Sequence, residues 1–96
     1  MSQPIEVTCE PAPEGWRCQV TVGDDPGATL HDVAVSASTF ERLAPGAEAP
    51  EALVRASFEF LLAREGRESI LRTFDLHVIR RYFPDWEQEI QRTLSS

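Results

Sequence analysis

Residues 50–65 read PEALVRASFEFLLARE, and the fold turns on how that stretch is covered. Pro50 suits the first position of a helix, where a missing N–H costs nothing. Glu51 puts negative charge in the first turn, which the helix dipole favours. Gly66 follows the last apolar residue, where a left-handed cap would end the helix. Leu53, Val54, Phe58, Phe60, Leu61 and Leu62 spread over far more than a narrow stripe, and only Arg55 and Glu59, one turn apart, mark a solvated ridge. A helix that apolar needs cover on more than one side. A small sheet is expected on one side and the C-terminal helices on another.

The sheet is read from the first third of the chain. Ile5, Val7 and Cys9 alternate with Glu6, Thr8 and Glu10; Trp16, Cys18, Val20 and Val22 alternate with Arg17, Gln19 and Thr21. Period two marks half-buried strands, and PAPEG between them is turn chemistry. Placing Cys9 opposite Cys18 sets Ile5 against Val22, Val7 against Val20 and Pro11 against Trp16 on one apolar face. The other face then holds Glu6–Thr21, Thr8–Gln19 and the opposite charges Glu10–Arg17. A slip of one residue would destroy that match. Pro13 and Gly15 fall where a four-residue loop built on a type I turn wants them. GDDPG at 23–27 is a second turn. A third strand follows over 29–37, with His31, Val33 and Val35 on one face and Leu30, Asp32 and Ala34 on the other. An antiparallel meander is the simplest arrangement.

Ser38 and Glu41 have capping-box spacing and start a short helix through Leu43, stopped by Pro45 and Gly46; residues 46–49 link it to the central helix. Beyond Gly66, residues 68–74 read as one or two helical turns. Asp75 is an N-cap for a helix over 76–83, with Leu76, Ile79 and Phe83 on one side. Pro84 ends it and opens the last helix, with Asp85 and Glu87 in the first turn. Trp86, Ile90 and Leu94 form a stripe for docking on the domain or on a second copy. The fold class is therefore α+β: an antiparallel three-stranded β-meander against a central helix, then two or three short C-terminal helices. One domain is expected: a loose lead-in at 1–4, the meander over 5–37, the short and central helices over 38–66, and the C-terminal helices over 67–96.

A chain of 96 residues carrying 42% hydrophobic and 26% charged side chains fits a soluble globular protein with a small core. Its net charge of −7 argues against generic phosphate-backbone binding. Residues 1–60 carry three arginines against ten acids, and 61–96 carry six against six, so any anion-binding surface belongs to the second half. Every basic residue is arginine, as a GC-rich bacterial coding sequence would give. No apolar run has the length of a signal peptide or membrane span. A cytoplasmic location with both cysteines reduced is the expectation.

Few residues carry recognisable chemistry. Cys9 and Cys18 match no zinc spacing; they are read as core thiols ahead of a disulfide, with a catalytic thiol last, since no histidine lies near to activate one. His31 and His77 lie far apart in sequence and suggest no metal site. Asp24 and Asp25 lack the ligand alternation of a calcium loop and are read as a turn. There is no nucleophile elbow, phosphate loop or dinucleotide fingerprint. No catalytic residue, metal or cofactor is expected.

From residue 57 to 90 the chain runs SFEFLLARE, then ESIL, FDL and YFPDWE. This run resembles a group of small, uncharacterised bacterial proteins with a similar C-terminal stretch; the resemblance implies no activity and carries no functional residue across. The order hairpin, third strand, helix is also similar in outline to the scaffold of HicB-like antitoxins and double-stranded RNA-binding domains. The basic loops that RNA contact needs are missing.

The function expected is a non-catalytic protein-interaction or regulatory module, acting on a protein partner or on itself as a homodimer. Arg80, Arg81, Tyr82, Phe83, Trp86 and Ile90 are the candidate contact surface, since aromatics and arginine are the usual anchors; core packing is the competing expectation for the aromatics. The alternative is a nucleic-acid binder using 69–83 as a helix-turn-helix, with Arg72, Arg80 and Arg81 on phosphates. The flanking acids make nucleic acid the lesser reading.

Overall fold

Strand alternation produces the sheet, and the register follows the apolar residues. The computed structural model of the chain describes residues 3–47 and 49–95. Strands β1 (Ile5–Ala12) and β2 (Gly15–Val22) pair antiparallel with Cys9 opposite Cys18 and Ile5 opposite Val22, the register expected from the alternation. The strands run one pair further than expected, to Ala12 opposite Gly15, so the turn holds only Pro13 and Glu14. A Cβ on Gly15 would sit 2.1 Å from the Val35 carbonyl oxygen, so only glycine lets the β3 backbone come so close.

β3 (Thr29–Ser36) pairs antiparallel with β2. Thr29, His31, Val33 and Val35 point inward and are buried. Leu30, Asp32 and Ala34 lie on the opposite, outer face with Glu6, Thr8 and Glu10. Glu10 stands opposite Arg17 as expected, but the Arg17 guanidinium donates to Asp32 Oδ2 at 2.9 Å instead.

The sheet has a fourth strand, which corrects the three-stranded meander. β4 (Thr73–Asp75) lies beside β3 and runs parallel to it, giving the mixed order β1-β2-β3-β4. Residues 68–74, expected as helical turns, form a short 3₁₀ turn at Arg67–Ser69 and then this strand. The cause is a partner distant in sequence: the Asp32 N–H donates to the Arg72 carbonyl at 2.7 Å, and His31 Nδ1–H donates to the Leu71 carbonyl at 2.7 Å.

The helices cover the inner face of the sheet. α1 (Ala37–Leu43) is capped by Ser36, whose hydroxyl accepts from the Thr39 N–H; the cap lies two residues before Ser38. α2 (Glu51–Leu62) has Pro50 at its N-cap and buries Leu53, Val54, Ala56, Ser57, Phe58, Phe60 and Leu61, leaving Arg55 and Glu59 exposed. It packs on β1 on one side and on α4 on the other. Gly66 is not a left-handed cap; its φ is −75°. A 3₁₀ turn at Leu76–Val78 leads into the single turn of α3 (Ile79–Tyr82), so the helix expected over 76–83 splits, and Asp75 makes no side-chain cap bond. α4 (Trp86–Ser95) closes the core, with Trp86 and Ile90 buried and Leu94 packed at its edge.

The expected loose lead-in is partly tied down. Residues 1 and 2 lie outside the described residues, as does 48 in the 46–49 link. The Pro4 carbonyl accepts from Gly23 N–H at 2.8 Å, and the Gln3 side chain accepts from Arg67 at 2.9 Å.

Candidate functional site

The six residues of the expected contact surface separate into two groups. Trp86 and Ile90 are 0% and 1% exposed. The Trp86 indole N–H donates to the Ser57 hydroxyl at 3.2 Å in the middle of α2, so both residues belong to the core and present nothing to a partner. Their stripe is the seam along which α4 docks on α2. Phe83 is half-buried and meets Phe60 edge-on at 5.7 Å. Arg80, Arg81 and Tyr82 are on the surface. Arg80 lies 3.6 Å from Glu87 Oε2, which also accepts from Arg42.

Tyr82, 64% exposed, borders a groove of about 380 Å³ between the end of α2, the 69–74 segment and α3. Its floor is Leu61, Ile70, Phe74 and Ile79, and Leu71, Phe83 and Val78 complete its apolar wall. Leu71 is 49% exposed, so two of the three large apolar side chains on the described surface border this one groove; the third, Leu30, is on the outer face of the sheet. Glu65 is the sole charged side chain in the lining, and it makes no ion pair among the described residues. The groove exists because residues 69–74 must leave α2 and run back to β3, which opens a space that α3 only half fills. Glu65, Leu71 and Phe74 were not expected in a site. The available signal was Leu71, an apolar residue beyond the buried alternation of Ile70 and Phe74.

The helix-turn-helix outline for 69–83 is replaced by strand, 3₁₀ turn and one α-helical turn. None of these is a recognition helix, and Arg72, Arg80 and Arg81 are not arrayed along one.

The cysteines, read as core thiols, are joined as a disulfide. Directly opposed on adjacent strands with Cα atoms 4.0 Å apart, they occupy a non-hydrogen-bonded pair, the closest approach that an antiparallel ladder offers. His31 is buried. Its Nε2 accepts from Thr29 Oγ1 at 2.8 Å, its other nitrogen serves Leu71, and its ring meets Phe58 edge-on at 5.2 Å. Burial pulls its pKa below the usual histidine value, against the opposing effect of the Leu71 carbonyl.

The 23–27 turn does hold a cation, and the cation is Arg67. Its guanidinium donates to Asp25 Oδ2 at 3.1 Å and fills the space over Gly23 and Gly27, where added Cβ atoms would fall 2.1 and 2.6 Å from its nitrogens. The hydrogen bond from Arg67 holds the Asp25 carboxyl below the usual carboxylate range. Among the described residues no three His, Cys, Asp or Glu side chains gather as metal ligands, and no helix is long and apolar enough to cross a membrane.

No protein-family model, curated protein or solved structure matches the chain.

Proposed function

We propose that the chain is a non-catalytic protein-interaction module and that the groove between α2, β4 and α3 is its contact surface. The observation that supports this reading is the meeting of Leu71 and Tyr82, both large and exposed, at one apolar groove. Exposed apolar side chains scattered singly are ordinary on a small protein; two bordering one concavity mark a surface that binding would cover. Of the six residues singled out in sequence, Tyr82 and Phe83 line the groove; Arg80 and Arg81 are exposed on α3 outside its lining, with Arg80 turned to Glu87. We keep the cytoplasm as the proposed location, but the Cys9–Cys18 disulfide counts against it, since such bonds persist mainly in oxidising compartments.

The test compares wild type with Leu71→Ser/Tyr82→Asp in affinity capture from the source lysate after nuclease treatment. Both positions are exposed, so far-UV circular dichroism and the urea midpoint should not change. A stoichiometric protein held by wild type and lost by the variant supports the reading. Equal capture by both, or capture that nuclease abolishes, overturns it. Sedimentation at high concentration separates a foreign partner from a second copy of the chain.

A further inference from the structure

The groove lies under an open sheet edge. β4 is the last strand of the sheet, and the Asp32 N–H bonds the Arg72 carbonyl. Peptide groups alternate sides along a strand. The N–H and C=O of Thr73 and of Asp75 therefore point away from β3, off the edge. Phe74 points inward with Val33, its partner in the register, and forms part of the groove floor. A strand added at the usual spacing of about 4.8 Å would bond Thr73 and Asp75 through its backbone and drop alternate side chains into the groove beside Phe74, Leu71 and Tyr82.

The opposite edge of the sheet is defended. On β1 the backbone groups that point off the edge belong to Ile5, Val7, Cys9 and Pro11, the non-hydrogen-bonded positions of its pairing with β2. The Ile5 carbonyl already accepts from Arg55, Pro11 has no N–H, and Glu6 and Glu10 are exposed along the strand. Charge and proline are the usual means of blunting an edge. β4 has no proline and a single charge, Asp75, and its three-residue length limits an added strand to the free backbone groups of Thr73 and Asp75.

We propose that the occupant of the groove is an extended segment of a partner protein, added to β4 as a fifth strand, with apolar side chains at alternate positions and an arginine or lysine placed to meet Glu65. The inference rests on the protein-interaction reading above and adds its mode. Backbone bonds at the edge supply affinity and the groove selects the side chains, as strand addition does elsewhere. The Glu65 carboxylate, without an ion pair among the described residues, selects the cation at an otherwise uncharged lining.

The experiment titrates the isotope-labelled full chain with acetyl-Arg-Val-Thr-Val-Thr-Val-amide, reading amide shifts and hydrogen exchange by NMR. The expected result is slowed exchange at Thr73 and Asp75 with shifts at Leu71 and Tyr82. A peptide with proline at the central Val should bind at least tenfold more weakly. Glu65→Gln, or glutamate in place of the peptide arginine, should weaken binding at least fivefold. Equal binding of the proline peptide, protection at Val7 and Cys9 instead, or no shift at millimolar peptide would overturn the proposal. So would a dimer in sedimentation whose Thr73 amide is already protected, since a second copy would then hold the edge. Loss of a lysate partner in Leu71→Ser/Tyr82→Asp with no peptide response sinks strand addition alone. Peptide binding without any lysate partner sinks the interaction reading alone.

Discussion

Replacing Trp86 tests whether the C-terminal aromatics are core or surface. The side chain is fully buried and donates to Ser57 Oγ, which itself donates to the Leu53 carbonyl at 2.9 Å. An aromatic ring buries about 150–250 Å², which at about 25 cal/mol/Å² is roughly 4–6 kcal/mol as an upper bound. Truncation to alanine should cost about 3–5 kcal/mol, a large share of the about 5–15 kcal/mol that holds a domain together. Trp86→Phe is more informative, because it keeps most of the ring and removes the donor; we expect a loss of about 2–3 kcal/mol. Ser57→Ala leaves a buried indole N–H without an acceptor and should cost about 1–3 kcal/mol. In the double variant that penalty disappears, so the two costs should fall short of additivity by about 1 kcal/mol. The assay is urea unfolding followed by far-UV circular dichroism, which does not depend on tryptophan emission. With a slope of about 1–3 kcal/mol/M, Trp86→Phe should lower the midpoint by about 0.7–3 M. A midpoint within about 0.2 M of wild type, given such a slope, would refute the burial argument and return Trp86 to the surface.

Three further outcomes are expected. Reducing the Cys9–Cys18 bond releases a loop of ten residues (separation nine) and should lower stability by about 2.5–3 kcal/mol on the chain-entropy relation; an unchanged urea midpoint in protein shown by alkylation to be fully reduced would contradict it. Stability should fall as pH drops below 6.5, because the unfolded imidazole of His31 takes up a proton there while the buried one, its pKa lowered, does not; the loss ends once pH passes the folded pKa, and His31→Gln should flatten that part of the pH profile. Gly23→Ala forces a side chain onto a backbone with φ of +97° and into Arg67, and should cost about 1–3 kcal/mol, read from the urea midpoint; Arg67→Ala in the same chain should relieve the part due to the clash and leave the part due to the backbone.

The legible parts of the fold were those with a local cause. Ile5 to Val22 alternate so regularly that one register buries every apolar residue, and the strands adopt it. The spread of apolar positions on α2 required two covers, and the sheet and α4 provide them. β4 had no such signal: three residues, Thr73, Phe74 and Asp75, give too short a window for a period, and a parallel strand is chosen by a partner some forty residues away. Cap residues misled for a related reason. Ser36 and Ser38 are both good acceptors, and the earlier one wins because β3 ends at Ser36. Trp86, Ile90 and Leu94 declared a covered face without saying what covers it. Of the groove, Tyr82 and Phe83 were legible as surface aromatics, whereas Glu65 and Leu71 acquire meaning only when the 69–74 segment returns to the sheet.

That return also sets an order of assembly. β1, β2 and β3 neighbour one another in sequence and can zip from the two turns. β4 can join only after α1 and α2 have been laid down between it and β3, a closure of about forty residues that loop entropy makes slow relative to a hairpin. Until then the Asp32 N–H and the His31 Nδ1–H lack the carbonyls of Arg72 and Leu71 that they serve in the folded chain. The last strand in the sheet should therefore be the last to form and the first to open. Amide exchange at Asp32 should report a local opening well below the free energy of global unfolding, whereas the amides of Thr8 and Gln19, in the hairpin closed by the disulfide, should exchange only through larger openings. The edge offered to a partner would then be the part of the molecule whose folding a partner can complete.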